Sequence, residues 1–177
     1  PTICYLANVV SPKGKGSTGI ESIDDLPFSE MVDAVLEGED VVDIVIVTPG
    51  GSAEQVAKFV NKLRLRFRNV AFILPNIAMS AGTIFCLSGD ELLMDERAYI
   101  GPIDPQVPNR EGRFVPAQAL LTLISDIQAR GDTNISRGQS PPWTDIQILR
   151  NIDPKEIGSA INTSRFSIEL VTEYLSS

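Results

Sequence analysis

The fold is decided by one stretch of sequence, VVDIVIVTPGGSAEQVAKFV at residues 41–60. Its first part, 41–47, is a short and almost continuous apolar run, which is typical of a strand covered on both faces. A loop with two glycines follows at 48–51. From about Ser52 to Phe67 apolar residues then recur at helical spacing opposite a basic face. The stretch therefore predicts a strand, a glycine loop and an amphipathic helix in succession.

Strands and helices alternate in the same way along the rest of the chain. The predicted strands are 2–10, 41–47, 70–74 and 91–94. The predicted helices are 24–37, 52–67, 80–88, about 116–130, one from near Pro142 and one from Asp153–Pro154 onward. This alternation predicts a single α/β domain over residues 1–177, with repeated βαβ units, a mainly parallel sheet and flanking helices.

Two loops follow strands of this predicted sheet, one at 48–52 and the other at 76–81, where the sequence from 76 to 83 reads NIAMSAGT. In parallel sheets, ligands bind beyond the carboxyl ends of the strands. We therefore expect the two loops to lie side by side and to form the functional site.

Composition limits the partners of the chain. The formal net charge is -8, with 15 basic and 23 acidic residues, which argues against a nucleic-acid or anionic-membrane surface. No apolar run reaches the roughly 18 residues that span a bilayer, so we expect a cytoplasmic protein without a membrane segment in this chain. Because the chain begins with Pro1 rather than Met, we expect a processed product or a piece of a longer protein.

The chain has two cysteines and no histidine. Cys4 and Cys86 each stand inside an apolar stretch without metal-type spacing, so we expect two buried thiols, no metal and no cofactor. Without a histidine, these 177 residues hold neither a Ser-His-Asp triad nor a Cys-His dyad.

The second loop has the composition that a nucleophilic serine requires. Ser80 stands at a predicted strand-to-helix turn between small residues, which let the backbone approach a substrate. The N–H of Ala81 and the N–H of Gly51, from the first loop, are the candidate donors of an oxyanion hole. The alternative is an ordinary glycine loop at 50–51 and an ordinary helix N-cap at Ser80.

Taken together, the segments TPGGSAEQVAKFVNKLR, ILPNIAMSAGT and GPIDPQ resemble the Clp-protease/crotonase superfamily, and above all the serine dehydrogenase proteinase family. That family is related to the Clp proteolytic subunit and to signal peptide peptidase A. The resemblance covers about residues 40–107 and implies the ClpP/crotonase-like fold. It also implies that Ser80 is the nucleophile and that Gly51 and Ala81 donate to the oxyanion, since the spacing of Gly51 and Ser80 matches.

The resemblance does not supply a general base. Asp104 stands where the Clp subunit has its histidine, but a carboxylate with a pKa near 4 is a poor base for a hydroxyl. Its alternative role is to brace a turn through nearby backbone N–H groups. Signal peptide peptidase A uses a lysine, and Lys155 is the candidate by order along this chain. A residue outside the 177 is the other possibility.

Three functions from different classes remain open at this point. The first is a serine peptidase that acts on peptide or protein substrates. The second is an inactive ClpP-like peptide-binding or scaffold protein, and the third is a crotonase-type acyl-CoA enzyme, although no feature of the sequence indicates a site for the CoA phosphates. The resemblance also implies a homo-oligomer, for which Trp143 and the apolar stripe of the last helix are candidate contacts.

Overall fold

The computed structural model describes residues 1–9 and 18–176. The chain divides into two compact units, one formed by Pro1–Ile103 with Glu169–Ser177 and the other by Asp104–Ile168. The single domain that the sequence predicts stays a prediction. Most of the predicted loop at 11–19 lies outside the described residues.

The first unit contains a four-stranded sheet whose strands are all parallel, in the order β1-β2-β3-β5. Its strands are β1 (Thr2–Leu6), β2 (Val41–Val47), β3 (Asn69–Leu74) and β5 (Glu91–Met94). Two further short strands, β4 (Ile77–Ala78) and β6 (Tyr99–Ile100), pair with each other in parallel. The prediction of an α/β fold with a mainly parallel sheet is confirmed.

Three helices of this unit surround an aromatic core. They are α1 (Asp25–Asp33), which follows a 3-10 turn at Ser22–Asp24, α2 (Ala53–Arg66) and α3 (Ala81–Leu87). Phe28 of α1 stacks on Phe59 of α2 at 4.0 Å between ring centroids, and Phe85 of α3 meets Phe72 of β3 edge-on at 4.9 Å. All four rings are almost fully buried. The packing fixes the starts of α2 and α3, where the two special loops end.

Some predicted bounds in this unit are wrong. Strand β1 ends at Leu6 rather than at residue 10, because its partner β2 ends at Val47 and the chain then reaches Pro49, which has no N–H for pairing. The first helix ends at Asp33 rather than at residue 37. The predicted loop at 75–79 contains β4, which is too short to show a periodic pattern.

The two cysteines differ in exposure. Cys86 is buried in α3, as predicted, and burial raises the pKa of its thiol to about 12. Cys4 is exposed, so the prediction of a second buried thiol is wrong. The reason is that β1 is the edge strand of the sheet and its pattern buries only Ile3.

The second unit pairs a small hairpin with helices. Strands β7 (Gln106–Pro108) and β8 (Phe114–Pro116) are antiparallel, and α4 (Ala117–Ser136), α5 (Trp143–Asn151) and the start of α6 (Pro154–Ser176) follow. A core forms from residues of the hairpin, α4 and α6, namely Val107, Val115, Ala117, Leu120, Leu121 and Ala160.

The helices of the second unit largely follow the sequence patterns. Helix α4 runs to Ser136, past the predicted end at about 130. At the start of α6 the Lys155 N–H donates to Asp153 Oδ1 at 2.9 Å, which confirms Asp153 as the N-cap. Trp143 is 68% exposed and is therefore not a core side chain of its unit. Within the ranges 1–9 and 18–176, no helix is both long enough and apolar enough to cross a membrane.

Candidate functional site

The two special loops lie side by side, as the sequence predicts. Thr48, directly after β2, forms a parallel bridge with Ala78 of β4. The Thr48 N–H donates to the Ile77 carbonyl at 3.0 Å, and the Met79 N–H donates to the Thr48 carbonyl at 3.1 Å. These two hydrogen bonds join the glycine loop directly to the turn that carries Ser80.

Gly50 packs against the backbone of the serine turn. Its φ is +103°, a conformation that side chains rarely adopt. A Cβ atom at this position would lie 2.6 Å from the Met79 carbonyl oxygen and 2.8 Å from Ser80 Cβ. Only glycine therefore allows the two loops to approach this closely.

Gly51 is held from one side and free on the other. Its neighbours bond to Ile20, since the Ile20 N–H donates to the Gly50 carbonyl at 2.7 Å and the Ser52 N–H donates to the Ile20 carbonyl at 2.8 Å. In a parallel pairing, the N–H and carbonyl groups of successive residues point to opposite sides of the strand, so the N–H of Gly51 points away from Ile20. No acceptor for it exists among the residues that the structure describes. This N–H is available to a ligand.

Ser80 has an unusual backbone conformation, with φ 51° and ψ −120°. Among the described residues it is the only one other than glycine with a positive φ. Such conformations cost about 1–3 kcal/mol and persist where the surrounding structure imposes them. Here the Ser80 turn lies directly against Gly50, where no side chain would fit.

The Ser80 side chain does not cap its helix. An ordinary N-cap has an extended backbone and accepts a hydrogen bond from an N–H of the first turn. Ser80 makes no such bond, and within ranges 1–9 and 18–176 its hydroxyl has no hydrogen-bond partner. The N–H of Ala81, the next residue, also has no acceptor there, whereas the Gly82 N–H donates to the Met79 carbonyl at 2.8 Å. The turn thus offers one hydroxyl and one N–H.

Two buried threonines that sequence reasoning missed support the turn. Thr48 is fully buried, and its Oγ1 accepts from the Gly50 N–H at 3.1 Å. The Thr83 hydroxyl lies 3.0 Å from the Ala78 carbonyl oxygen and 2.9 Å from that of Gly101. A side-chain hydroxyl that bonds a backbone N–H two residues on has a weak sequence signal, a Thr directly before a proline and glycine turn. Nothing in the sequence around Thr83 distinguishes it.

The structure brings Gly50, Gly51, Ser80 and Ala81 together, whereas Asp104 and Lys155 belong to the second unit. Asp104 is half-buried, and its carboxylate takes part in no hydrogen bond or ion pair with the described residues. The turn-bracing role considered for it is therefore not seen. Lys155 is exposed in the first turn of α6.

The two remaining lysines that the structure describes, Lys58 and Lys62, lie on α2. Lys62 is bound by Asp25, with 3.1 Å between Nζ and Oδ1, and its Nζ also contacts the Ser29 hydroxyl. Hydrogen bonds from Gln55 and from Lys62 lower the pKa of the Asp25 carboxyl. Lys58 is exposed on α2. The other two lysines, at 13 and 15, lie outside the described residues.

Comparison with known proteins adds a family to this geometry. Residues 29–134 match the family model of ClpP-like SDH-type serine proteinases, which is more than half of the chain. Two uncharacterized proteins of Methanocaldococcus jannaschii are each 38% identical, over 83 and 87 residues. These matches cover 47% and 49% of this chain but only 27% and 28% of the relatives, so the chain spans about a quarter of their length.

Two solved structures are similar in part. The ClpP protease catalytic domain from Plasmodium falciparum is 13% identical with a TM-score of 0.37, over 42% of this chain and 50% of that domain. A mutant of a membrane-bound stomatin-specific protease in complex with a substrate peptide is 23% identical with a TM-score of 0.48, over 64% and 56%.

Proposed function

The chain belongs to the ClpP-like SDH-type serine proteinases, and from this premise we propose that it is a serine peptidase with Ser80 as its nucleophile. The Ser80 oxygen attacks a peptide carbonyl carbon, and the N–H groups of Gly51 and Ala81 bind the oxyanion of the tetrahedral intermediate. Family membership alone supports the reaction class, while the residue roles are our proposal.

The proposal rests on the backbone conformation of Ser80. A non-glycine residue is held at positive φ, its hydroxyl lacks a partner within the described chain, and a glycine is packed against its Cβ. Strain of this kind concentrates at functional sites, where it presents a reactive atom. A serine exposed on a strained strand-to-helix turn is also the geometry of the nucleophile in other hydrolases.

The reaction requires a group that takes the proton of the Ser80 hydroxyl as the C–O bond forms. The same group gives this proton to the leaving amine when the C–N bond breaks, and water then hydrolyses the acyl-enzyme. In our proposal the base is a lysine, with Lys155 as the candidate in this chain, or a residue outside the 177. Asp104 remains a candidate because of its position in the sequence.

One observation favours a second candidate function, a ClpP-like protein that binds peptides without cleaving them. Among residues 1–9 and 18–103 of the first unit, no side chain accepts a hydrogen bond from the Ser80 hydroxyl. The glycine loop and its free N–H would serve binding equally well. No observation in the structure favours the acyl-CoA reaction.

Two further parts of the proposal concern partners. The substrate is a peptide or protein, because the two N–H groups match an oxyanion formed at a carbonyl carbon. We propose self-association as well, since large apolar side chains such as Trp143 and Phe114 are 68% exposed in the second unit.

Peptide hydrolysis by the longest natural form of this chain tests the proposal, with Ser80→Ala and Ser52→Ala compared. We expect that Ser80→Ala abolishes cleavage of a mixed peptide substrate and that Ser52→Ala retains it, because Ser52 caps a helix and has no free hydroxyl. Saturable peptide binding without any cleavage by the unmodified protein would favour the binding-protein function instead.

A further inference from the structure

Thr48 contacts both loops of the proposed site. Its backbone N–H and carbonyl bond to Ile77 and Met79 on the serine turn, while its side chain reaches Gly50 in the glycine loop. The residue is fully buried, so these contacts are shielded from water. A single residue thus joins the two loops on which the proposed chemistry depends.

The hydroxyl of Thr48 sets the path of the glycine loop. Its oxygen accepts the N–H of Gly50 at 3.1 Å, two residues on, and it lies 3.4 Å from the Gly50 carbonyl oxygen. A turn closed in this way holds Gly50 at its φ of +103°. The Gly50 N–H is buried and has no other acceptor in the part of the chain that the structure describes. The orientation of the next N–H, that of Gly51, depends on this turn together with the pairing with Ile20.

The methyl group of Thr48 faces the other loop. A Cβ atom placed on Gly82 would lie 2.3 Å from Thr48 Cγ2, so this methyl occupies the space beside the first turn of α3. Gly82 is two residues after Ser80 and is bonded to the Met79 carbonyl at 2.8 Å. The methyl and the hydroxyl of one side chain therefore fix the two loops with respect to each other.

We propose that Thr48 is a positioning residue whose hydroxyl aims the Gly51 N–H at the carbonyl oxygen of the group that Ser80 attacks. This inference rests on the proposed peptidase function and goes beyond it, because it assigns a role to a residue that does not touch the substrate. Loss of the hydroxyl releases the Gly50 N–H, and the Gly51 N–H is then held only through the pairing of its neighbours with Ile20, which allows its direction to vary.

Two pairs of variants isolate the hydroxyl. Thr48→Val removes it and keeps the shape of the side chain, while Thr48→Ser keeps it and removes the methyl group. If Thr48→Val fails to fold, Thr48→Ala is compared with Thr48→Ser instead. Both of these variants lack the methyl group, and only Thr48→Ala also lacks the hydroxyl. Ile44→Val, in the buried centre of β2, is the control for a general loss of stability.

The first measurement is the second-order rate of covalent labelling by a fluorophosphonate, whose P=O oxygen occupies the oxyanion position. Complete loss of one oxyanion donor costs roughly 100-fold to 1,000-fold, so a misdirected donor should slow labelling by about 10-fold in Thr48→Val. We expect Thr48→Ser and Ile44→Val to stay within about 3-fold of the unmodified chain. Equal rates in Thr48→Val and Ile44→Val would overturn the proposal.

The second measurement does not depend on activity. In protein labelled with ¹⁵N-glycine, amide hydrogen exchange at Gly50 should be about 10-fold faster in Thr48→Val than in Ile44→Val, and the amide resonances of Gly50 and Gly51 should shift. If the unmodified chain is never labelled by the fluorophosphonate, the peptidase function fails, and these amides still decide the role of Thr48. Unchanged exchange and shifts would overturn it.

Discussion

Ser52 and Ser80 occupy equivalent places in the fold, yet their local structures differ. Each follows a loop at the carboxyl end of a parallel strand and precedes the first residue of a helix. Ser52 has φ −78° and ψ 120°, and its hydroxyl oxygen accepts the Gln55 N–H at 3.1 Å. Ser80 has φ 51° and ψ −120° and makes no cap hydrogen bond.

The difference teaches how a common residue becomes a candidate nucleophile. Capping the helix stabilises Ser52 and engages its hydroxyl, which also donates to Glu54 at 2.8 Å. At Ser80 the backbone lacks the extended conformation of a cap, and the hydroxyl has no described partner. A stabilising cap hydrogen bond is therefore absent at Ser80 and present at Ser52.

The largest expected effect concerns the glycine loop, which lies against the Ser80 turn. Gly51→Ala should lower the free energy of unfolding by about 3 kcal/mol, because a Cβ would meet the Ile20 backbone at 2.3 Å in addition to the strain at φ +145°. Gly38→Ala is the matched control, since its φ is +93° and nothing lies within 4 Å of the added Cβ. It should cost about 1 kcal/mol. Similar losses of unfolding free energy in Gly51→Ala and Gly38→Ala, measured by urea unfolding, would show that the loop is not tightly held.

A smaller effect on the free energy of unfolding is expected from substitutions of the two serines themselves. Ser80→Gly should raise the free energy of unfolding by about 1 kcal/mol, because glycine adopts positive φ without strain and no hydrogen bond is lost. Ser52→Ala should lower it by about 1 kcal/mol through loss of the cap. Both values come from urea unfolding of the variants at neutral pH. A loss of stability in Ser80→Gly would mean that the serine side chain supports its turn and is not strained by it.

The smallest expected effect depends on pH and lies beside Ser52. Gln55, whose N–H Ser52 caps, donates from Nε2 to Asp25 Oδ1 at 2.7 Å, and together with Lys62 it lowers the pKa of that carboxyl. The ordinary value is about 4, so the interaction stabilises the fold above it and is lost as pH falls through the lowered pKa.

Urea midpoints at pH 7 and at about pH 3 measure this contribution. The midpoint of Asp25→Asn should fall less between the two pH values than that of the unmodified chain. Ser80→Ala should show the same fall as the unmodified chain, because no carboxylate bonds to Ser80 among the described residues. Equal falls of the urea midpoint in Asp25→Asn and in the unmodified chain would show that Asp25 does not contribute to the loss of stability at low pH.

Particular residues show how far the sequence predicted the fold. The apolar run at 41–47 has the bounds of β2, because a buried strand leaves a nearly continuous apolar pattern. The predicted strand at 91–94 has the bounds of β5, although most of its residues are exposed. The side-by-side placement of Thr48 and Ala78 followed from parallel topology alone. By contrast, β4 and β6 have two residues each, which is too short for a periodic sequence pattern.

The conformation of the candidate site could not be predicted from the sequence, and the roles of its residues stay a prediction. Ser52 and Ser80 each stand at the start of a predicted helix, and only the structure shows that Ser52 caps its helix and Ser80 does not. The role of Thr48 depends on a buried hydrogen bond that no spacing reveals. The general base stays a prediction, because Asp104 and Lys155 belong to the second unit.

The most direct test is a competition between the two serines within one molecule. The longest natural form of the chain is treated with a fluorophosphonate across a pH series, and the adducts on Ser80 and Ser52 are quantified by peptide mapping. The account predicts an adduct on Ser80 at neutral pH, in about 100-fold or greater excess over Ser52, because only Ser80 combines a free hydroxyl with nearby oxyanion donors. Equal modification of both serines, or none at Ser80 at any pH, would contradict it.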